Sequence, residues 1–210
     1  MEGKEQKQKI YCAGPLFNPK EQEEMADIAS ALENAGYSVF LPQRDGLEFA
    51  KLLPMLIKRE ITVDNATRVL NMAIFSLDVF QITDSHGLVV NMNGRVPDEG
   101  AMVEAGIAWA HDKAIVIFRN DDRTLVKGVC NPLAMGLSDF ESVDKYEKIP
   151  VAFNQKFADT DRKFAPPEEK QFGSAKKKGK RIREFLADQK GSDEIADLLI
   201  ELFGDVTCVT

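Results

Sequence analysis

The chain has 210 residues, enough for one ordinary domain with an appendage and short for two full catalytic domains. Its 27 Lys and Arg against 34 Asp and Glu leave a net charge of −7, which argues against nucleic acid as the main partner, because phosphate binding draws on surplus cations. An apolar fraction of 44% with 29% charged residues excludes wholesale disorder and fibrous structure.

In chain order, the opening MEGKEQKQK is polar and lacks the apolar stretch of a signal peptide. Residues 9–13 (KIYCA) form a short apolar run ended by Gly14-Pro15, which predicts a buried strand with a loop at its carboxyl end. Helical spacing of Met25, Ile28, Ala29 and Leu32 predicts a helix over residues 20–35, stopped at Gly36, and residues 37–41 (YSVFL) read as the second strand. A loop over residues 42–54 precedes one or two helices over residues 55–82. Residues 87–91 (GLVVN) are a third strand, residues 99–111 a helix rich in small residues, and residues 114–118 (AIVIF) a fourth strand. Residues 159–180, with Pro166-Pro167 and the cluster AKKKGKR, read as a linker or solvated excursion and not as an RNA contact. Two helices close the chain around residues 182–189 and 193–203, the last capped by Ser192 or Asp193.

Strands separated by helices, with continuous apolar character, indicate an α/β fold built on a parallel sheet covered on both faces. The expected division is a catalytic domain over residues 1–150 and a polar linker with a helical C-terminal extension over residues 151–210. No uncharged apolar run approaches the roughly 18 to 20 residues of a membrane-spanning helix, so the expectation is a cytoplasmic protein with a small-molecule partner, no nucleic acid and no membrane. Cys12, Cys130 and Cys208 are too scattered for a disulfide framework or a zinc site and are expected to be reduced thiols.

In parallel sheets the ligand sits at the carboxyl ends of the strands. That rule selects the segments after strands one, two and three. Residues 91–106 (NMNGRVPDEGAMVEAG) hold the least ordinary chemistry. Asp98 follows Pro97 and suits the N-cap of the next helix. Glu104 shares a helical stripe with Gly100, Ala101, Ile107 and Ala108, the small and apolar face expected to lie against the sheet. A carboxylate there is either a satisfied core group, bonded to a backbone amide or to Tyr11, or one that does chemistry. Gly94 and Gly100 bracket the loop, and Gly100, Ala101, Ala105 and Gly106 leave room for close approach. Neither a dinucleotide fingerprint nor a P-loop is present.

KIYCAGPLFN together with GRVPDEGAMVEAGIAWA resembles the nucleoside 2-deoxyribosyltransferases over roughly residues 8–150. The resemblance implies a flavodoxin-like domain that moves 2-deoxyribose between nucleobases through a covalent deoxyribosyl-enzyme, with no metal or organic cofactor, and a homo-oligomer. It assigns Glu104 as nucleophile, Tyr11 as the group that holds it, and Asp98 and Asp78 as base-side carboxylates, with Asp98 taking part in protonation. Asn131 of NPLAMG is the candidate for a contact reaching a neighbouring subunit. Many members carry an acid at the position of Asn93. The substrate-binding set is Gly14, Phe17, Gln43, Arg44, Gly94, Arg95, Gly100 and Asn131. Phe17 and Phe40 are either walls for the base or core packing, Gln43, Arg44 and Asp45 lie at the expected mouth of the site, and Arg95 either binds a 5′-phosphate or faces solvent. His86 and His111 read as structural.

The residues also make chemical sense by themselves. Cleaving an N-glycosidic bond develops positive charge on the sugar and negative charge on the base, so one carboxylate belongs below the anomeric carbon and a proton donor beside the base. Two displacements at one carbon predict retention of configuration. The alternatives are a hydrolase of deoxynucleoside 5′-monophosphates, with water as acceptor, and a non-catalytic nucleotide-sensing domain.

Overall fold

In the computed structural model, which describes residues 7–94, 96–121, 130–158 and 173–204, the apolar run after the polar start forms β1 (Lys9–Ala13). Along the chain follow α1 (Pro19–Asn34), β2 (Ser38–Phe40), α2 (Pro42–Asp45), α3 (Phe49–Ile57), α4 (Val63–Asp84), β3 (Gly87–Asn91), α5 (Glu99–Ala110), β4 (Ala114–Phe118), α6 (Pro132–Gly136), α7 (Lys148–Ala158), α8 (Gly173–Ala187) and α9 (Ser192–Phe203). Asn18 starts α1 by accepting the free N–H groups of Lys20 and Glu21 on Oδ1, both at 3.1 Å. Gly36, at φ +95°, follows its end in the left-handed conformation that glycine adopts without steric cost.

The chain divides into two units, residues 1–41 with 82–167 and residues 42–81 with 168–210. The first unit holds the sheet, four parallel strands in the order β2-β1-β3-β4, the flavodoxin-like arrangement. Every residue of β3 and β4 is buried, which is why these strands do not alternate and are apolar throughout except for Asn91 at the end of β3. Ile10, Cys12, Val89, Val116 and Phe118 share a core with Met25, Ile28, Ala29 and Leu32 of α1 and with Ile149 and Phe153 of α7. The intervening strand residues, Tyr11 among them, point to the opposite face, where α5 packs on β1, β3 and β4 through the buried Ala101, Ala105 and Ala108. The strand order reverses between β1 and β3, the kind of switch point at which parallel sheets hold ligands, beyond the carboxyl ends of the strands.

The second unit is helical. Arg59 after α3 bonds Asp197 of α9 at 2.5 Å and the Asp193 carbonyl at 2.7 Å. Gly179 lies in the middle of α8 where it crosses α4, and a Cβ built there would stand 1.9 Å from the Ser76 carbonyl oxygen and 2.6 Å from Phe80 Cβ.

Several expectations are corrected. Residues 42–54 are not a loop, since they contain α2 and most of α3. The sequence signal there is Pro54, yet it sits inside α3, a short helix held by the buried Leu52 and Leu56. The basic cluster lies on α8 and not in a linker; lysine is a good helix former, and Gly179 serves the crossing rather than breaking the helix. The first cap of α9 is Gly191, one residue earlier than expected, whose N–H donates to Glu194 Oε2 at 3.0 Å. α7 runs across residue 150, and its Phe153 is fully buried in the core of the first unit. Residues 159–172, with Pro166 and Pro167, lie outside the described residues, as does Cys208. Cys12 and Cys130 are free thiols, and among the described residues no helix is long and apolar enough to cross a membrane.

Gly179→Ala tests the crossing. Alanine is intrinsically better in a helix by about 0.5–1 kcal/mol, but here its methyl meets backbone, and overpacking costs about 1–3 kcal/mol. The expected result is a lower Tm by calorimetry; an unchanged or higher Tm contradicts the tight crossing.

Candidate active site

Tyr11 is fully buried on β1, its ring stacked on Phe40 of β2 at a centroid distance of 5.5 Å and an interplanar angle of 24°. Its hydroxyl donates to Glu104 Oε1 of α5 at 2.6 Å, the length of a charge-assisted bond to a carboxylate. Glu104 is half-buried beside the stripe Ala101, Ala105 and Ala108. The small side chains let α5 lie close to the sheet, and that proximity brings the carboxylate within reach of a hydroxyl rising from β1. The expected face needs one correction: Gly100 is exposed, and Gly106 meets nothing within 4 Å where a Cβ would be, so neither glycine makes the close approach.

Asp98 caps the same helix, its Oδ2 accepting from the Ala101 N–H at 3.3 Å. It therefore sits at the positive end of the α5 dipole. A Cβ at Gly100 would stand 3.4 and 3.6 Å from the two Asp98 oxygens, so glycine leaves that carboxylate uncrowded. Six residues separate Asp98 from Glu104, about 9 Å along a helix axis.

The other sequence candidates have different surroundings. Gly14 is required by packing, since a Cβ would lie 2.4 Å from Met25 Sδ and 2.9 Å from Asn91 Cβ. Phe17 is 83% exposed and so is no core residue, whereas Phe40 is buried against Tyr11. Gly94 adopts φ +105° and donates its N–H to Asp121 Oδ2 at 3.1 Å. Asn131 is exposed and caps α6, accepting from the Leu133 N–H at 2.9 Å. Asp78 is half-buried on α4, and Gln43 and Arg44 lie on α2, all three in the second unit. Arg44 forms two bonds to the neighbouring Asp45 carboxylate, at 2.9 and 3.0 Å. Arg95 lies outside the described residues. His86 accepts the Lys9 N–H on Nδ1 at 3.0 Å; partial burial, then the Lys113 charge, pushes its pKa down. His111 is the C-cap of α5. Among the described residues no group of three or more His, Cys, Asp and Glu is placed to hold a metal ion.

One polar assembly has no counterpart among the sequence candidates. Glu24 of α1 accepts from Asn91 Nδ2 and from Asn93 Nδ2, both at 2.7 Å. Asn93 Nδ2 also donates to Asn120 Oδ1 at 2.8 Å, and its Oδ1 accepts the N–H groups of Asn120 and Asp121 at 2.9 and 3.1 Å. Asn91 Oδ1 in turn accepts the Asn93 N–H at 3.0 Å. The signal available for it is the one that marks Glu104: Glu24 stands one turn before Ile28, at the edge of the apolar stripe of α1. The charge of Glu24 adds to burial, the larger cause, in raising the pKa of Tyr146, whose ring stacks on Phe118 at 5.0 Å.

A sequence model of the family described as nucleoside 2-deoxyribosyltransferase matches residues 10–185. No curated protein matches the sequence. Similar solved structures include a conserved protein from Enterococcus faecalis V583, 19% identical with a TM-score of 0.49, covering 71% of this chain and 99% of that one. A 2-deoxyribosyltransferase from Bacillus psychrosaccharolyticus is 18% identical with a TM-score of 0.46, covering 76% and 99%. A Clostridium botulinum CMP N-glycosidase, BcmB, is 15% identical with a TM-score of 0.38, covering 72% and 99%.

Asn91→Leu keeps the side-chain size and deletes both polar functions of a fully buried residue. It should lower the unfolding free energy by about 1–3 kcal/mol, read from urea denaturation at constant m-value; a midpoint equal to the parent's would contradict the bonding described.

Proposed function

Because the chain belongs to the nucleoside 2-deoxyribosyltransferase family, we propose that it transfers 2-deoxyribose between nucleobases by a retaining double displacement on Glu104. The observation that carries the proposal is the 2.6 Å bond from Tyr11, in the middle of β1, to Glu104 of α5. A carboxylate held by a buried hydroxyl has a defined plane and position, which is what a nucleophile aimed at one carbon needs.

In the first step Glu104 forms an ester bond to C1′ while the C1′–N bond breaks, and the departing base takes a proton from the Asp98 carboxyl. The electron pair of the broken bond leaves with the base. In the second step an incoming base attacks C1′ from the face the first one left, the ester opens, and Asp98 recovers a proton from the acceptor. Each displacement inverts the anomeric carbon, so the pair restores its configuration. Asp98 suits proton transfer by its place at the N-terminus of α5, beyond the end of β3. Water in place of the second base turns the same ester into a hydrolysis product, so transfer and hydrolysis share the first half of the reaction. Both steps use residues of the first unit.

Incubation with a 2-fluoro-substituted deoxynucleoside, followed by peptide mapping, should place the adduct on Glu104, and a label elsewhere or an inverted product defeats the assignment. With thymidine or deoxyinosine as donor and adenine or cytosine as acceptor, chromatography separates exchanged nucleoside from free sugar. Glu104→Ala should abolish the covalent route. Asp98→Asn should cost ~10²- to 10⁴-fold, the usual scale for a general acid or base. Tyr11→Phe should lower kcat about 10- to 10²-fold, corresponding to the roughly 1.5–3 kcal/mol of a hydrogen bond to a charged group. An E104A protein that exchanges bases at the parental rate refutes the mechanism.

A further inference from the structure

Asn91 closes a strand whose other residues are apolar, and it is fully buried. Replacing the whole bonded set by apolar side chains would serve stability about as well, because paired buried polar groups contribute little net, although replacing one member alone strands its partners. The assembly instead ties together three segments: α1 through Glu24, the end of β3 through Asn91 and Asn93, and the end of β4 through Asn120 and Asp121. Its bonds also fix the polarity of each group. The two backbone N–H groups of Asn120 and Asp121 require an acceptor from Asn93, so Oδ1 faces them and Nδ2 faces Glu24. Asn93 then uses both lone pairs and both amide protons. Two amide donors, from Asn91 and Asn93, meet at position 24 on different oxygens, Oε2 and Oε1, an arrangement that a carboxylate supplies and that a carboxamide in the same pose would break at one of the two.

Asp98 follows Asn93 by five residues; Asn93 bonds Glu24 of α1, and Asp98 caps α5. Gly94 is pinned to Asp121, and Pro97 restricts its own φ. We infer that Glu24 is a positioning residue for Asp98: by clasping Asn91 and Asn93 it sets where the β3–α5 loop leaves the sheet, and so where the proton-donating carboxyl stands. This rests on the reading of Asp98 given under the proposed function.

The test is an acid–amide swap. Glu24→Gln presents an amide nitrogen to one of the two amide donors and breaks one bond. Asn93→Asp sets two carboxylates face to face. In the double variant E24Q/N93D, the new carboxylate at position 93 still accepts the two backbone N–H groups, and the new amide at position 24 donates to it. The oxygen of that amide accepts from Asn91, and the exposed Asn120 side chain turns its amide nitrogen inward, so the clasp re-forms with donor and acceptor exchanged. Rates of base exchange and of sugar release, pH profiles of kcat and melting curves are measured for the full chain and the three variants. Each single variant should lower kcat by about 10²-fold, the scale of a small misplacement of a reacting group. It should also move the limb of the profile that belongs to the proton donor, while KM changes little. The double variant should regain most of the rate and return the limb.

If E24Q alone fails to fold, the double variant decides, because reversing a donor and an acceptor repairs this clasp and does not repair generic loss of packing. Parental kcat and limb in E24Q, a rate loss with the limb unmoved, or a double variant no better than the single ones overturns the inference. A parent chain that neither exchanges nor hydrolyses overturns the functional reading and this inference with it; an active parent with indifferent variants overturns this inference alone.

Discussion

Placing a carboxylate on the sheet-facing side of a helix removes part of its hydration, and the loss must be met by a donor coming from the sheet. Glu104 meets it with the Tyr11 hydroxyl, and much of the first unit follows from that bond. Tyr11 must project toward α5, which fixes the register of β1: a slip of one residue would turn the ring to the α1 side. The ring must also stand still, and Phe40 of the neighbouring strand stacks on it. The helix must come close enough, and alanines at positions 101, 105 and 108 allow it.

The same problem is solved a second time on the other side of the sheet, with different groups. Glu24 interrupts the edge of the α1 stripe as Glu104 interrupts that of α5, and its donors are side-chain amides at the end of β3. Glu24 bonds the carboxyl end of β3, and Glu104 bonds the middle of β1. The two acids thus differ in their donors: Glu104 accepts from a tyrosine hydroxyl, and Glu24 accepts from two side-chain amides.

Periodicity makes the sheet legible. Three of the four strands have the limits that their apolar runs indicate, and β2 is one residue shorter at each end. Glu104 and Asp98 can be picked out because a charge on an apolar stripe and an acid before a helix are local signals. Glu24 carries the first of these signals but stays hidden, because its meaning lies in Asn91 and Asn93, which are distant in sequence and ordinary as residue types. The helices around Pro54 and Gly179 are hard to read for a related reason. Local propensity treats proline and glycine as breakers, whereas burial of Leu52 and Leu56 and the close crossing at Ser76 decide the outcome.

The sequence by itself determined the parallel α/β class and the presence of an acid beside the apolar stripe of α5, because each depends on spacing along one segment. Only the tertiary structure decided that Tyr11 reaches Glu104, that Phe17 lies in solvent while Phe40 lies beneath the tyrosine, and that Asn93 spends every hydrogen bond its side chain has. Those facts depend on which segments meet, and hydrogen-bond partners more than ninety residues apart in one case are chosen by packing and register, not by neighbours in the chain.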